Sequence, residues 1–271
     1  MNYPMGNTLQ KLMNRDFSKY DITKPELKTR YKDDIFSSIK IERDIQYKEA
    51  LNYAGKNEKL LLDVYSPEED TEQKRPVILY VHGGGLSSGS KEEDILASRM
   101  AAKGYVVVSV NYRLTPDPDS QWNNAMRNAM EDVVSAVDWI KANDSKYGID
   151  KSKIVLSGYS AGAEIITNVV YGDYVNGWDR SGIAGAIDIA GNRLFWGTVK
   201  TDAPVLIIHG TADNINPYSD VLKFIEQLKA AGNKYQLVPF EGVGHSFGSY
   251  ENSQKLVNYT AEFLYNNVVL K

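Results

Sequence analysis

The stretch Lys153-Ile154-Val155-Leu156-Ser157-Gly158-Tyr159-Ser160-Ala161-Gly162 decides the fold. Lys153–Ser157 reads as a buried strand, and Ala161–Val170 reads as a helix. Between them lies Gly158-Tyr159-Ser160-Ala161-Gly162, which has the form G-x-S-x-G. A tight strand-to-helix turn of this kind lifts a serine hydroxyl clear of a sheet, and its glycines leave room for a strained backbone. The helix behind aims its first N–H groups at developing negative charge.

Outward from this turn, strand-like and helix-like segments alternate. Ile39–Tyr47 and Leu60–Tyr65 read as early strands with a turn at Asn52–Asn57. Pro76–Val81 is a buried strand running into glycines, Asp94–Lys103 a helix ending at Gly104, and Tyr105–Tyr112 a Val-rich strand. Met126, Met130, Val133, Val137 and Ile140 recur at helical spacing within Trp122–Lys141. Ile183–Ile189, Val205–His209 and Tyr235–Phe240 read as further strands. Asn216 and Pro217 read as the cap and first turn of the next helix, and Ser253–Val268 is the last helix. The pattern predicts an α/β fold with a mostly parallel sheet covered on both faces. The first two strands are joined too closely for a helical crossover, which predicts an antiparallel N-terminal edge. Residues 1–38 are polar and weakly periodic and read as an N-terminal arm that could partly cap a site; residues 39–271 read as a single domain.

The chemistry-bearing residues lie at strand ends. His82-Gly83-Gly84-Gly85 closes a central strand, and its backbone can fold against a ligand with N–H groups free to stabilise an oxyanion. The chain has three histidines. His82 is expected to brace the glycine loop and His209 to make a structural hydrogen bond. His245, in Gly242-Val243-Gly244-His245-Ser246-Phe247, stands where a base can swing onto Ser160. Asp213, in His209-Gly210-Thr211-Ala212-Asp213, is the favoured acid; Asp188, near the end of the preceding strand, is its rival.

Taken together, these motifs resemble the α/β-hydrolase superfamily, in particular the HGGG carboxylesterases. That group includes hormone-sensitive-lipase-like enzymes and bacterial acetyl or feruloyl esterases. The resemblance runs over about residues 40–268, through Leu60–Pro67, Pro76–Gly89, Tyr105–Arg113, Lys153–Gly162, Val205–Asp213 and Gly242–Phe247. It implies an α/β-hydrolase fold, a Ser160–Asp213–His245 triad, and an oxyanion hole from the N–H groups of Gly83 or Gly84 with that of Ala161. It also implies a serine carboxylesterase that works through an acyl-enzyme on small-molecule esters, without metal or cofactor. The chain departs from relatives at Leu86, where many have an aromatic residue, at Ala163, where many have glycine, and at Tyr159, where the lipase-like group has aspartate.

Leu86, Tyr159, Phe195 and Trp196, with Trp122, are candidates for the substrate pocket; core packing is the competing role for the last three. Only about a dozen residues, Gly191–Ala203, join two central strands where lids are often inserted, so short acyl groups are expected. An amidase, formamidase or peptidase on the same triad, and a noncatalytic binder on the same scaffold, are the alternatives.

Composition narrows the classes further. Over 271 residues the net charge is -4, which argues against nucleic acid as partner. The absence of cysteine excludes disulfides, thiolate zinc sites and a cysteine nucleophile. Neither a signal-peptide pattern nor a membrane-length apolar run is visible, so a cytoplasmic protein with no membrane partner is expected; a secreted chain trimmed of its leader would read the same. The sequence does not set the oligomeric state.

Overall fold

The computed structural model describes residues 28–92, 96–174 and 177–271. Among them, eight strands form one sheet in the order β1-β2-β4-β3-β5-β6-β7-β8. The strands are β1 (Ile39–Leu51), β2 (Asn57–Pro67), β3 (Arg75–Val81), β4 (Val106–Val110), β5 (Ile149–Tyr159), β6 (Ile183–Ile189), β7 (Val205–Gly210) and β8 (Tyr235–Phe240). Strand β2 runs antiparallel to both β1 and β4, and every pairing from β4 to β8 is parallel. The antiparallel edge is therefore as the short Asn52–Asn57 connection required.

Alternation along the strands builds a core on each face. Val77, Leu79 and Val81 of β3 face one cluster, while Ile78 and Tyr80 face the other. The first cluster is covered by α2 (Pro118–Ala142), α4 (Ala161–Tyr171) and α5 (Tyr218–Ala230). The second is covered by α1 (Ala97–Ala102) and α6 (Tyr250–Leu264). A single turn, α3 (Asp144–Tyr147), leads into β5, and a π-helical turn at Tyr265–Val269 follows α6. Where β4 ends, the Arg113 guanidinium is held by the Asp132 carboxylate of α2 at 2.8 Å, and Lys48 of β1 reaches the same carboxylate at 2.6 Å.

Several boundaries differ from the sequence expectation. Helix α1 begins at Ala97; residues 94 and 95 of the predicted helix lie outside the described residues. Asn216 does not cap α5. Pro217 holds the cap position, and the buried Asn216 side chain instead donates to Ala190 O at 2.6 Å. Helix α6 starts at Tyr250 because Ser249 caps it, accepting from Asn252 N at 3.1 Å.

The N-terminal arm also differs. Tyr31 N donates to Lys103 O at 2.8 Å, and Ile35 N and Phe36 N both donate to Ala102 O at 3.0 Å. These contacts precede β4, at the N-terminal ends of the parallel strands, whereas the candidate catalytic groups follow C-terminal ends. Residues 28–38 therefore do not cap the candidate site, and residues 1–27 of the expected arm lie outside the described residues. Among the described residues, no helix is long and apolar enough to cross a membrane.

Candidate active site

Ser160 stands between β5 and α4 with φ 54° and ψ −122°, a left-handed conformation that is costly for a non-glycine residue. The surrounding glycines permit it. A Cβ on Gly158 would lie 2.3 Å from Gly162 C, and one on Gly162 would lie 2.1 Å from Val81 O. Ser160 N donates to Ile189 O at 2.8 Å, which ties the turn to the neighbouring strand.

Two loops from further along the sheet reach this serine. His245 Nε2 lies 2.9 Å from Ser160 Oγ, and its Nδ1 lies 2.7 Å from Asp213 Oδ2. A carboxylate only accepts, so Nδ1 carries the proton and Nε2 offers its lone pair to the serine hydroxyl. Burial pushes the Asp213 carboxyl up. The hydrogen bond from His245 and those from the N–H groups of Asn216 and Ile215 outweigh it, so the group sits below its ordinary value and stays ionised.

The other two histidines take the bracing roles expected of them. Burial lowers the His82 imidazole to about 4, so it is neutral, and its Nδ1–H donates to Gly83 O at 2.8 Å. The Tyr112 ring stacks on it at 4.4 Å, and the Tyr112 hydroxyl donates to the carbonyls of both His82 and Gly83 at 3.2 Å. His209 Nε2–H donates to Asn216 O at 2.8 Å and lies 3.3 Å from Asp213 Oδ2, which steadies the acid's loop.

The glycine loop is pressed against the nucleophile. A Cβ on Gly83 would lie 3.2 Å from Ser160 Cβ, and one on Gly84, at φ +102°, would lie 2.1 Å from Ser88 O. Among the described residues, no backbone acceptor takes the N–H groups of Gly83, Gly84 or Ala161. Asp188 is elsewhere. Its fully buried carboxyl accepts from Gly191 N at 2.8 Å, its Oδ2 has no partner, and burial pushes it up to about 7. Of the rival acids, the structure brings Asp213 to His245.

Comparison with known proteins agrees with this architecture. Residues 62–172 match the family model described as BD-FAE, and residues 193–270 match that of the prolyl oligopeptidase family. Esterase LipC of Mycobacterium tuberculosis is 27% identical over 236 residues, covering 69% of this chain and 57% of that protein. Human carboxylesterase 3 is 38% identical over 120 residues, covering 41% of this chain. The chain thus spans 57% of the length of LipC and 20% of carboxylesterase 3. A thermophilic esterase from Thermogutta terrifontis superposes with a TM-score of 0.67 at 28% identity, covering 83% of this chain and 91% of that one. The chain has the α/β-hydrolase fold.

On this α/β-hydrolase fold the candidate pocket residues are dispersed. The Tyr159 hydroxyl donates to His245 O at 2.9 Å, with its ring 5.5 Å from the imidazole. Tyr159 also lines a cleft of about 570 Å³ shared with Arg99, Ser246, Phe247, Ser253 and Leu256. Leu86 is different: at φ +63° its side chain turns inward and is fully buried, so it packs the core rather than the pocket.

Phe195 and Trp196 are also displaced. Phe195 N donates at 2.9 Å to Asn168 Oδ1. Asn168 sits about two helical turns, or ~10 Å, along α4 from Ala161. Trp196 packs on Tyr174 at 4.8 Å, past the far end of α4. Phe195 also meets Trp122 of α2 at 6.1 Å, so these aromatics form a flank cluster.

Sequence reasoning missed Tyr112, Arg99 and Glu164. Glu164, one turn past Ser160, is buried; that burial, with the nearby Asp188 charge, raises it to about 7 despite Arg193. A glutamate on a core-facing helix position was the available signal.

Proposed function

We propose that this chain is a serine carboxylesterase acting on small-molecule esters with short acyl groups, and that residues 39–271 are its catalytic domain. The observation that carries the reading is the hydrogen-bond chain from Ser160 Oγ through His245 to Asp213, at 2.9 Å and 2.7 Å. His245 Nε2 takes the hydroxyl proton as Ser160 Oγ bonds to the ester carbonyl carbon. The N–H groups of Gly83 or Gly84 and of Ala161 hold the oxyanion. The carbon–oxygen bond to the alcohol breaks, and the alcohol leaves with the proton from His245. Water, deprotonated by the same imidazole, then splits the acyl-enzyme into acid and free serine. Asp213 keeps the imidazole in the required tautomer and stabilises its cationic form.

The acyl preference is supported by the short Gly191–Ala203 connection, which contains no helix or lid-like insertion. Structures of the Thermogutta esterase carry propionate and butyrate, which fits the same size range. The resemblance to acetyl and feruloyl esterases makes acetylated and feruloylated sugars the natural esters to test first. The match of residues 193–270 to the prolyl oligopeptidase family makes matched anilides the proper control.

Specificity constants on the p-nitrophenyl esters of acetate, butyrate, octanoate and palmitate test this. They should peak at acetate or butyrate. Each methylene buried in an apolar tunnel would add about 0.8 kcal/mol, so a peak at octanoate or beyond overturns the short-acyl reading.

A further inference from the structure

The cleft beside Tyr159 has a direction relative to the reaction. In the cycle above, His245 Nε2 must protonate the leaving oxygen, so the alcohol half of the ester extends toward the histidine side of Ser160. The cleft lies on that side. Ser246 and Phe247, which follow His245 in the chain, form one wall, and Tyr159, bonded to His245 O, forms another. Its third wall is α1, and there it meets Arg99.

Arg99 is partly buried, and its only hydrogen-bond acceptor among the described residues is Gln254 Oε1, at 2.5 Å. Among the described residues, no carboxylate pairs with it and none lines the cleft. Of the other described arginines, the two buried ones are paired, Arg75 with Asp70 at 3.2 Å and Arg113 with Asp132 at 2.8 Å, while the half-buried Arg180, without a carboxylate among the described residues, donates to the carbonyls of Val169, Val170 and Gly172. A guanidinium has five N–H donors in a planar fork that suits a carboxylate, and in a recess shielded from bulk water such a pair is stronger than on an open surface. The hydroxyls of Ser246 and Ser253 add neutral donors along the same cleft.

We propose that this cleft is the alcohol subsite and that Arg99 selects esters whose alcohol portion carries a carboxylate. The inference rests on the esterase reading above and names the half of the substrate on which that site discriminates. Arg99 touches the substrate away from the reacting atoms, so it is a specificity residue.

The acetate esters of 3-hydroxybenzoate and 3-hydroxybenzamide share acyl group, ring and shape and differ in charge. The carboxamide withdraws electrons more strongly, so intrinsic reactivity favours the neutral ester, against the expected direction. With the full chain, kcat/KM should be about tenfold higher for the anionic ester, equivalent to about 1.4 kcal/mol. Arg99→Gln should bring the ratio to about 1, while Arg99→Lys, which keeps the charge and loses the fork, should retain part of it. A wild-type ratio near 1, or a ratio unchanged in Arg99→Gln, overturns the proposal.

A binding arm separates this inference from the reading beneath it. In Ser160→Ala protein, 3-hydroxybenzoate should bind about tenfold more tightly than 3-hydroxybenzamide, and Arg99→Gln should remove the difference. If neither ester is turned over but this preference is present, the esterase reading fails and the anion site stands. Equal binding of the two phenols overturns the anion site, whatever the activity.

Discussion

Asp213 follows β7 and Asp188 lies near the end of β6, and their surroundings separate them. Asp213 is bonded to His245 and to two backbone N–H groups, while Asp188 is bonded to Gly191 N alone. Asp213→Asn can present the imidazole with the wrong tautomer, so turnover of p-nitrophenyl acetate should drop by about 10⁴. Asp188→Asn should retain most of its turnover, since an asparagine oxygen can still accept from Gly191. Severe loss at Asp188 with little change at Asp213 would move the acid role to Asp188. The hydrogen-bonded Ser160–His245–Asp213 constellation was legible in the sequence because its members are rare types at strand ends: three histidines, one in a glycine-flanked loop, and one G-x-S-x-G serine. The choice between the aspartates was less legible, since both stand in the right chain order and only distance to the imidazole distinguishes them. Leu86 misled for a related reason. A residue following three glycines suggests an exposed loop, and nothing local shows that its positive φ turns the side chain into the core.

The elbow between β5 and α4 depends on close backbone contact more than on side chains. Gly162→Ala would place a methyl 2.1 Å from the carbonyl oxygen of Val81, in neighbouring β3, where neither backbone can yield. It should lose more than about 4 kcal/mol of stability or fail to fold. Gly85→Ala serves as a comparison: its φ is +59°, but an added Cβ meets nothing within 4 Å, so only the left-handed penalty of about 1–2 kcal/mol applies. Urea unfolding of both variants checks this, and equal losses would contradict the steric account. Strands and helices were readable from apolar periodicity because each buries a regular face. Their ends were not, because caps depend on partners elsewhere: Asn216 reads as a helix cap but is held by Ala190 O across the sheet. The flank position of Phe195 and Trp196 likewise depends on how the chain runs down α4, which residue type does not reveal.

Across the whole molecule, the sheet gathers the candidate catalytic groups at one end and buries two acids, Asp188 and Glu164, near them. Asp188 and Glu164 are each held at about 7, chiefly by burial. An unfolded chain would release these protons near pH 4, so between about pH 4 and 7 the folded state binds more protons than the unfolded state. Stability therefore falls as pH rises through that window, with the full cost above about pH 7 and none below about pH 4. Asp188→Asn removes one titration, so the variant should melt above the wild type at pH 8, with the gain shrinking toward pH 5. A gain independent of pH would contradict the burial account. The claim on which the functional reading depends is that Ser160 is the nucleophile, activated by His245. The Thermogutta esterase has been observed phosphorylated by paraoxon, and the same reagent probes this chain. Intact mass after paraoxon treatment should rise by one diethylphosphoryl group, peptide mapping should place it on Ser160, and Ser160→Ala should stay unmodified and lose ester turnover by about 10⁶. An unmodified wild type, or an adduct on another residue with Ser160→Ala still active, would contradict it.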